Sequence, residues 1–151
     1  MALTPERAML PSTTSTFKDG TSGINRPTGN TGKDWVSGGA AEDAINVNRG
    51  HDTLTGAVGN DILQGGPGIE RMAGGRNGEI LAPWGNEGQD MISDCARGVD
   101  RIKLLGISSS RVSWQPTPQD GGAAMLTEFG SGATMTLDHV AAPGQSDFIL
   151  A

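Results

Sequence analysis

Aromatic side chains are scarce in this sequence: three Trp, three Phe and no Tyr amount to 4% of its 151 residues, and hydrophobic residues in total reach only 35%. That shortage excludes a core of large interlocking side chains. Cysteine occurs once, at Cys95, which rules out an internal disulfide framework and any CxxC zinc site. Positive charge is also short, with Lys+Arg 11 against Asp+Glu 17 and a net charge of −6. No basic stripe is left to neutralise phosphates, so nucleic acid is not an expected partner. No run of 18 apolar residues is present, so no membrane-spanning helix is expected. The opening MALTPERAML lacks the basic region and apolar stretch of a cleaved signal peptide.

Catalytic signatures are missing as well. There is no HExxH, and the two histidines, His51 and His139, have no acid or cysteine at ligand spacing. GxSxG does not occur, and FGSGAT around Ser131 reads as a turn between strands. Cys95 reads as a small buried hydrophobe, His51 as an exposed loop residue, and Trp35, Trp84 and Trp114 as packing residues. No enzyme is expected.

What the chain has in excess is glycine, 24 residues, about one in six against a usual share of about 7%. From residue 29 the glycines fall into a nine-residue period: GNTGKDWVS, GGAAEDAIN, VNRGHDTLT, GAVGNDILQ, GGPGIERMA, GGRNGEILA and, after Pro83 and Trp84, GNEGQDMIS. The sixth column is Asp34, Asp43, Asp52, Asp61, Glu70, Glu79 and Asp90, always a carboxylate. The eighth is Val36, Ile45, Leu54, Leu63, Met72, Leu81 and Ile92, always aliphatic or Met. A glycine-rich linker gives its acids and aliphatics no reason to stay in phase, so the period marks a repeat architecture. The fourth column is mostly glycine, suited to positive φ. The preceding nonapeptide GTSGINRPT keeps Gly20 and Gly23 but has Asn25 and Pro27 in the acidic and apolar columns. It reads as a decayed first unit.

Three zones follow. Residues 1–28, rich in Ser, Thr and Pro, read as an extended N-terminal arm. Residues 29–93 carry the repeat. Residues 94–151 read as a compact β cap, with candidate strands at Arg101–Leu105, Arg111–Gln115, Ala123–Phe129 and Thr134–Val140.

The pattern G-G-x-G-x-D-x-U-x resembles the calcium-binding nonapeptide of repeats-in-toxin (RTX) proteins. The likeness extends into GQDMISDCARGVDRIKLLGI, TMTLDHV and SDFIL, similar to the segments that close the repeats in secreted RTX proteases and alginate epimerase modules. The resemblance implies an all-β fold: a parallel β-roll over 29–93, with a six-residue turn and a three-residue strand per nonapeptide and two nonapeptides per coil, closed by a small antiparallel β cap. In such a roll the eighth-column aliphatics form the core. Coils stack about 4.8 Å apart, which brings acids of units two apart together. Carboxylates at that distance repel unless a cation lies between them, and oxygen-only donors suit Ca²⁺. The expected ligands are Asp34, Asp43, Asp52, Asp61, Glu70, Glu79 and Asp90. Asp34 with Asp52 and Asp43 with Asp61 are the best pairs. The mixed pairs Asp52 with Glu70 and Asp61 with Glu79 are weaker or lost, which leaves about two to four ions, mostly toward the N-terminal half.

In the resembling family such modules usually form the C-terminal part of a secreted enzyme or toxin. Here the module stands without an enzyme, which leads to two expectations. One is a calcium-stabilised structural or attachment subunit of a larger assembly, a virion accessory or surface layer, at an extracellular or virion-surface location. The other is a secreted module exported by a type I system, whose signal Asp147, Phe148, Ile149 and Leu150 would resemble. An arm of this composition cannot offset its own ordering entropy. Its order is therefore expected from contact with other protein chains through Met9, Leu10 and Phe17. The seventh column of alternate units, Ala44, Ile62 and Ile80, forms an apolar stripe expected to lie under the chain's own cap or under a partner.

Overall fold

The computed structural model describes residues 15–83, 88–105, 113–116, 124–127, 133–138 and 145–150. Each nonapeptide contributes one strand: β2 (Trp35–Ala40), β3 (Ala44–Asn46), β4 (Thr53–Val58), β5 (Ile62–Gly66), β6 (Arg71–Arg76), β7 (Ile80–Pro83) and β8 (Gln89–Ile92). Successive strands alternate between two sheets, because a glycine-rich turn reverses the chain after each. β2, β4, β6 and β8 pair in parallel in one sheet, and β3, β5 and β7 in the other. Residues eighteen apart therefore face one another: Trp35, Thr53 and Arg71 in one sheet, Ala44, Ile62 and Ile80 in the other. The two residues inserted at positions 83 and 84 lengthen the next coil, so Arg71 pairs with Met91, and one residue more separates Ile80 from its partner Arg101.

The eighth column is the core. Val36, Ile45, Leu54, Leu63, Met72, Leu81 and Ile92 are each at most 1% exposed, and at roughly 1.5–3 kcal/mol per fully buried aliphatic side chain they dominate the stability of the roll. The turns accept this packing only because some backbones touch. At Gly66, with φ 89°, an added Cβ would stand 1.7 Å from the Asn48 carbonyl oxygen of the coil before it. No side chain fits there.

Both ends depart from the expected zones. Residues 15–28, expected within an arm leaving the roll, form one more coil of it. β1 (Phe17–Asp19) pairs in parallel with β2, Phe17 opposite Trp35, and Thr28 bridges to Asn46. The decayed unit needs few apolar side chains, because backbone bonds such as Gly20 N–H to Ser37 O (2.8 Å) and Gly29 N–H to Asn46 O (2.8 Å) tie it down. Met9, Leu10, Trp84, Ser131 and His139 lie outside the described residues. Trp35, expected to pack, is instead 56% exposed, because it stands one residue before the inward Val36 and so points away from the core.

At the other end β9 (Arg101–Leu104) and β13 (Phe148–Leu150) extend the second sheet in parallel, giving the order β13-β9-β7-β5-β3. Among the described residues, antiparallel pairing is confined to the meander of β10 (Ser113–Pro116), β11 (Ala124–Thr127) and β12 (Thr134–Leu137). β12 joins it to β8 in parallel, so the first sheet reads β1-β2-β4-β6-β8-β12-β11-β10. The core continues into this end through Cys95, Ile102, Leu104, Met135 and Leu137. Among the described residues the one helical segment is a 3-10 turn at Gln145–Asp147, and no helix is long and apolar enough to cross a membrane. The stripe Ala44, Ile62 and Ile80 is in register, ends at Arg101, and leaves Ile62 48% exposed.

Candidate metal centre

The sixth-column acids stand at the mouths of the turns, one residue before each strand or, for Asp90, at its second residue, and they are buried: Asp34, Asp43, Asp52, Asp61, Glu70, Glu79 and Asp90 are all at most 5% exposed. The two-sheet alternation divides them into two ladders, Asp34, Asp52, Glu70 and Asp90 along one edge and Asp43, Asp61 and Glu79 along the other. One oxygen of each aspartate reaches back to the previous coil. Asp52 Oδ1 accepts the Asp34 N–H (2.8 Å), Asp61 Oδ1 the Asp43 N–H (2.8 Å), Asp90 Oδ1 the Glu70 N–H (3.0 Å) and Asp43 Oδ1 the Asn25 N–H (2.6 Å).

The aspartate side chain is the right length for that bond. Glu70 and Glu79, one methylene longer, carry their oxygens past the backbone N–H, and all four of those oxygens are without a hydrogen-bond partner. Asp43 Oδ2, Asp52 Oδ2 and Asp61 Oδ2 are unpartnered too, so among the described residues seven buried carboxylate oxygens lack a donor. Asp34 differs: Oδ1 accepts the Thr16 N–H (2.9 Å) and Oδ2 the Asn30 N–H (2.6 Å).

Glycines keep space open beside these oxygens. A Cβ on Gly56 would lie 2.3 Å from Asp61 Oδ2 and 2.5 Å from the Gly74 carbonyl oxygen, and one on Gly38 would lie 2.6 Å from Asp43 Oδ2 and 2.8 Å from the Gly56 carbonyl oxygen. Each cradle thus brings an orphaned carboxylate oxygen close to a backbone carbonyl of the next coil. Among the described residues no three His, Cys, Asp or Glu side chains converge on one point. Single carboxylates paired with backbone carbonyls are the hard-oxygen donors Ca²⁺ takes. The residues fit calcium.

The electrostatics point the same way. Burial, reinforced by the neighbouring Asp90, pushes the Glu70 carboxyl up to about 9. Burial, with Asp100 beside it, pushes Glu79 up to about 8. Asp90 is raised by burial to about 6, against the lowering effect of the Glu70 N–H. Asp52 and Asp61 are also raised by burial, partly offset by the N–H bonds they accept from Asp34 and Asp43. These carboxylates are short of positive charge, and a cation between coils would supply it.

Two buried acids lie outside the expected ligand set. Asp100, fully buried, accepts the Glu79 N–H (3.0 Å) and the Ala96 N–H (2.6 Å), and so continues the second ladder beyond the repeats. Asp147, also buried, accepts the Gly98 N–H (3.1 Å). The run Gly98-Val99-Asp100-Arg101-Ile102 keeps the G-x-D-x-U signature of the repeat without the glycines that open it, and that signal marks Asp100. Cys95 is buried, and desolvation, then the charges of Asp100, Asp147, Asp94 and Glu79, push its thiol up to about 12. It is a packing residue with no thiolate to offer.

Comparison with known proteins agrees with this geometry. The profile of the RTX calcium-binding nonapeptide repeat (4 copies) matches residues 19–54 and 47–76. Among solved structures, the AlgE6R3 subunit of the mannuronan C5-epimerase from Azotobacter vinelandii, a solution structure, is similar at 23% identity and a TM-score of 0.52, over 97% of this chain and 86% of that one. At that identity the likeness is one of fold. No curated protein matches.

Proposed function

We propose, from the match of residues 19–76 to the profile of the RTX calcium-binding nonapeptide repeat, that the two acid ladders hold calcium ions between coils and that the chain acts without catalysis, as a calcium-stabilised structural unit. The seven buried, unpartnered carboxylate oxygens carry this reading. Asp43, Asp52 and Asp61 would each direct Oδ2 at an ion while Oδ1 stays bonded to the backbone. Glu70 and Glu79 would offer both oxygens. Asp34, Asp90 and Asp100 contribute chiefly as acceptors that fix the coils.

Calorimetric titration of chelator-stripped protein is expected to find about two to four ions, lost in steps as Asp43, Asp52 and Asp61 are changed to Asn. A stoichiometry of zero in a folded chain overturns the reading.

A second reading, attachment to another protein, rests on one surface feature. Phe17 and Trp35 are 64% and 56% exposed, with ring centroids 5.7 Å apart at 69°. They border a cavity of about 380 Å³ that Lys33, His51 and Thr53 also line. Two exposed rings side by side, in a chain with so few, suit a docking point on a larger assembly, with residues 1–14 (Met9, Leu10) as an extension of it. RTX repeats are typical of extracellular proteins, so a surface layer or virion exterior fits; the alternative is a secreted module exported by a type I system. Changing both Phe17 and Trp35 to Ala is expected to leave the calcium-induced circular dichroism intact and to abolish attachment to isolated surface layers or particles. Unchanged attachment favours the secreted module.

A further inference from the structure

The coil formed by residues 15–28 copies the backbone of the repeat and replaces the side chains that give the repeat its chemistry. Burial alternates along it, with Thr16, Lys18 and Gly20 half-buried between exposed Ser15, Phe17 and Asp19. Lys18 lies opposite Val36 and therefore stands in the inward column that the repeats fill with Val, Leu, Met and Ile. Its ammonium donates to the Thr28 carbonyl across the end of the roll. In the second sheet the corresponding half-buried position is Pro27, whose carbonyl accepts the Asn46 N–H (3.1 Å).

The acid columns are neutralised in the same coil. Thr16 and Asn25 give their backbone N–H groups to Asp34 and Asp43, as Asp34 and Asp43 give theirs to Asp52 and Asp61, but their side chains carry no charge. Asn30 fills the remaining space, donating its side-chain amide to Thr16 Oγ1 (2.6 Å) and accepting the Gly32 N–H (2.7 Å). Core and ladder thus both stop at one coil.

An uncovered coil of a parallel roll presents a cross-section of apolar core and a row of free N–H and C=O groups, a template for a second chain. The coil of residues 15–28 satisfies that row from below: Trp35 N–H to Thr16 O (2.8 Å), Ala40 N–H to Thr21 O (2.9 Å) and Ala44 N–H to Asn25 O (3.0 Å). Its own outer side is a poor template. β1 is three residues long, and its middle residue places a lysine in the inward column.

We propose that residues 15–28 are a dedicated capping coil, and that Lys18 prevents a second copy of this roll from stacking on its N-terminal end. A second roll seated there would enclose the Lys18 ammonium between two apolar cores, without water and opposite no carboxylate in its column. Terminal repeats with a polar outer side do the same in other solenoids. The opposite end of the roll is occupied by the β10–β12 meander and β13, so release of the block favours a pair of rolls meeting at their N-terminal ends rather than an open fibre.

The test uses the full chain with calcium present, comparing wild type, Lys18→Leu and Lys18→Gln by sedimentation velocity over a wide concentration range. The leucine variant is expected to shift with concentration toward twice the wild-type mass, whereas Lys18→Gln, still polar, behaves as wild type. Circular dichroism confirms that the roll is intact. If Lys18→Leu loses its strand signal, Lys18→Met gives the same reading, because its column already holds Leu54 and Met72. Apolar variants that fold and sediment like wild type at every concentration overturn the proposal, as does association of Lys18→Gln to the same extent.

Discussion

Chelating calcium is expected to unfold the middle of the roll while its ends keep more of their order. Each ion bound at a hundredfold excess over its Kd adds about 2.7 kcal/mol to stability, so two sites add about 5 kcal/mol, within the range of a whole domain's stability. Without that contribution, the coils between Asp43 and Glu79 retain unpartnered carboxylates packed around a thin core. Asp34, facing the capping coil, and Asp100 at the other end are held through both oxygens by backbone N–H groups that need no ion. Hydrogen exchange with and without chelator reads this residue by residue: β4, β5 and β6 lose protection first, and equal protection in both conditions sinks the idea. Asp52→Ala is the sharpest single change. It removes an ion ligand and strands the Asp34 N–H, for a cost of about 3–5 kcal/mol with calcium. Glu79→Ala strands no donor and costs less. Equal effects would mean that neither side chain holds an ion.

The period of nine made the core legible, because a strand residue that recurs in phase has only one side on which to be buried. All seven eighth-column residues lie there. The sixth column was legible as acids in a row, but not the different tasks of their oxygens. Whether an oxygen meets a backbone N–H depends on one methylene, and so on coil-to-coil geometry that the shared column of Asp61 and Glu79 does not reveal. The capping coil is hidden from a reading by side chains, which sees Thr, Lys, Asn and Pro where acids and aliphatics should be. Its order comes from backbone hydrogen bonds, which composition does not register. From Arg71 and Ile80 onward the register grows to twenty and twenty-one residues per coil, so the repeat continues in space after it has left the sequence.

Acid is expected to stabilise the calcium-free roll, the reverse of its effect on the calcium-loaded one. Glu70 and Glu79 are raised to about 9 and about 8 in the fold, against roughly 4.3 for a glutamate in an unfolded chain. Between those values the folded state binds more protons than the unfolded state, so stability falls as pH rises. The contribution is complete below the unfolded value and is lost as pH climbs through the folded values, about 8 and about 9. Calcium and protons compete for the same oxygens, so calcium's own contribution grows in the opposite direction, largest where the glutamates would otherwise have to ionise alone. Melting temperatures in chelator should therefore decline from about pH 5 to about pH 9, while those in excess calcium hold or rise. Changing Glu70 and Glu79 to Gln together should flatten the chelator curve and raise it at its alkaline end, since an amide stays neutral throughout. A chelator curve that instead rises with pH in wild type would mean that these two carboxylates ionise freely in the fold, and that no ion is needed to keep them there.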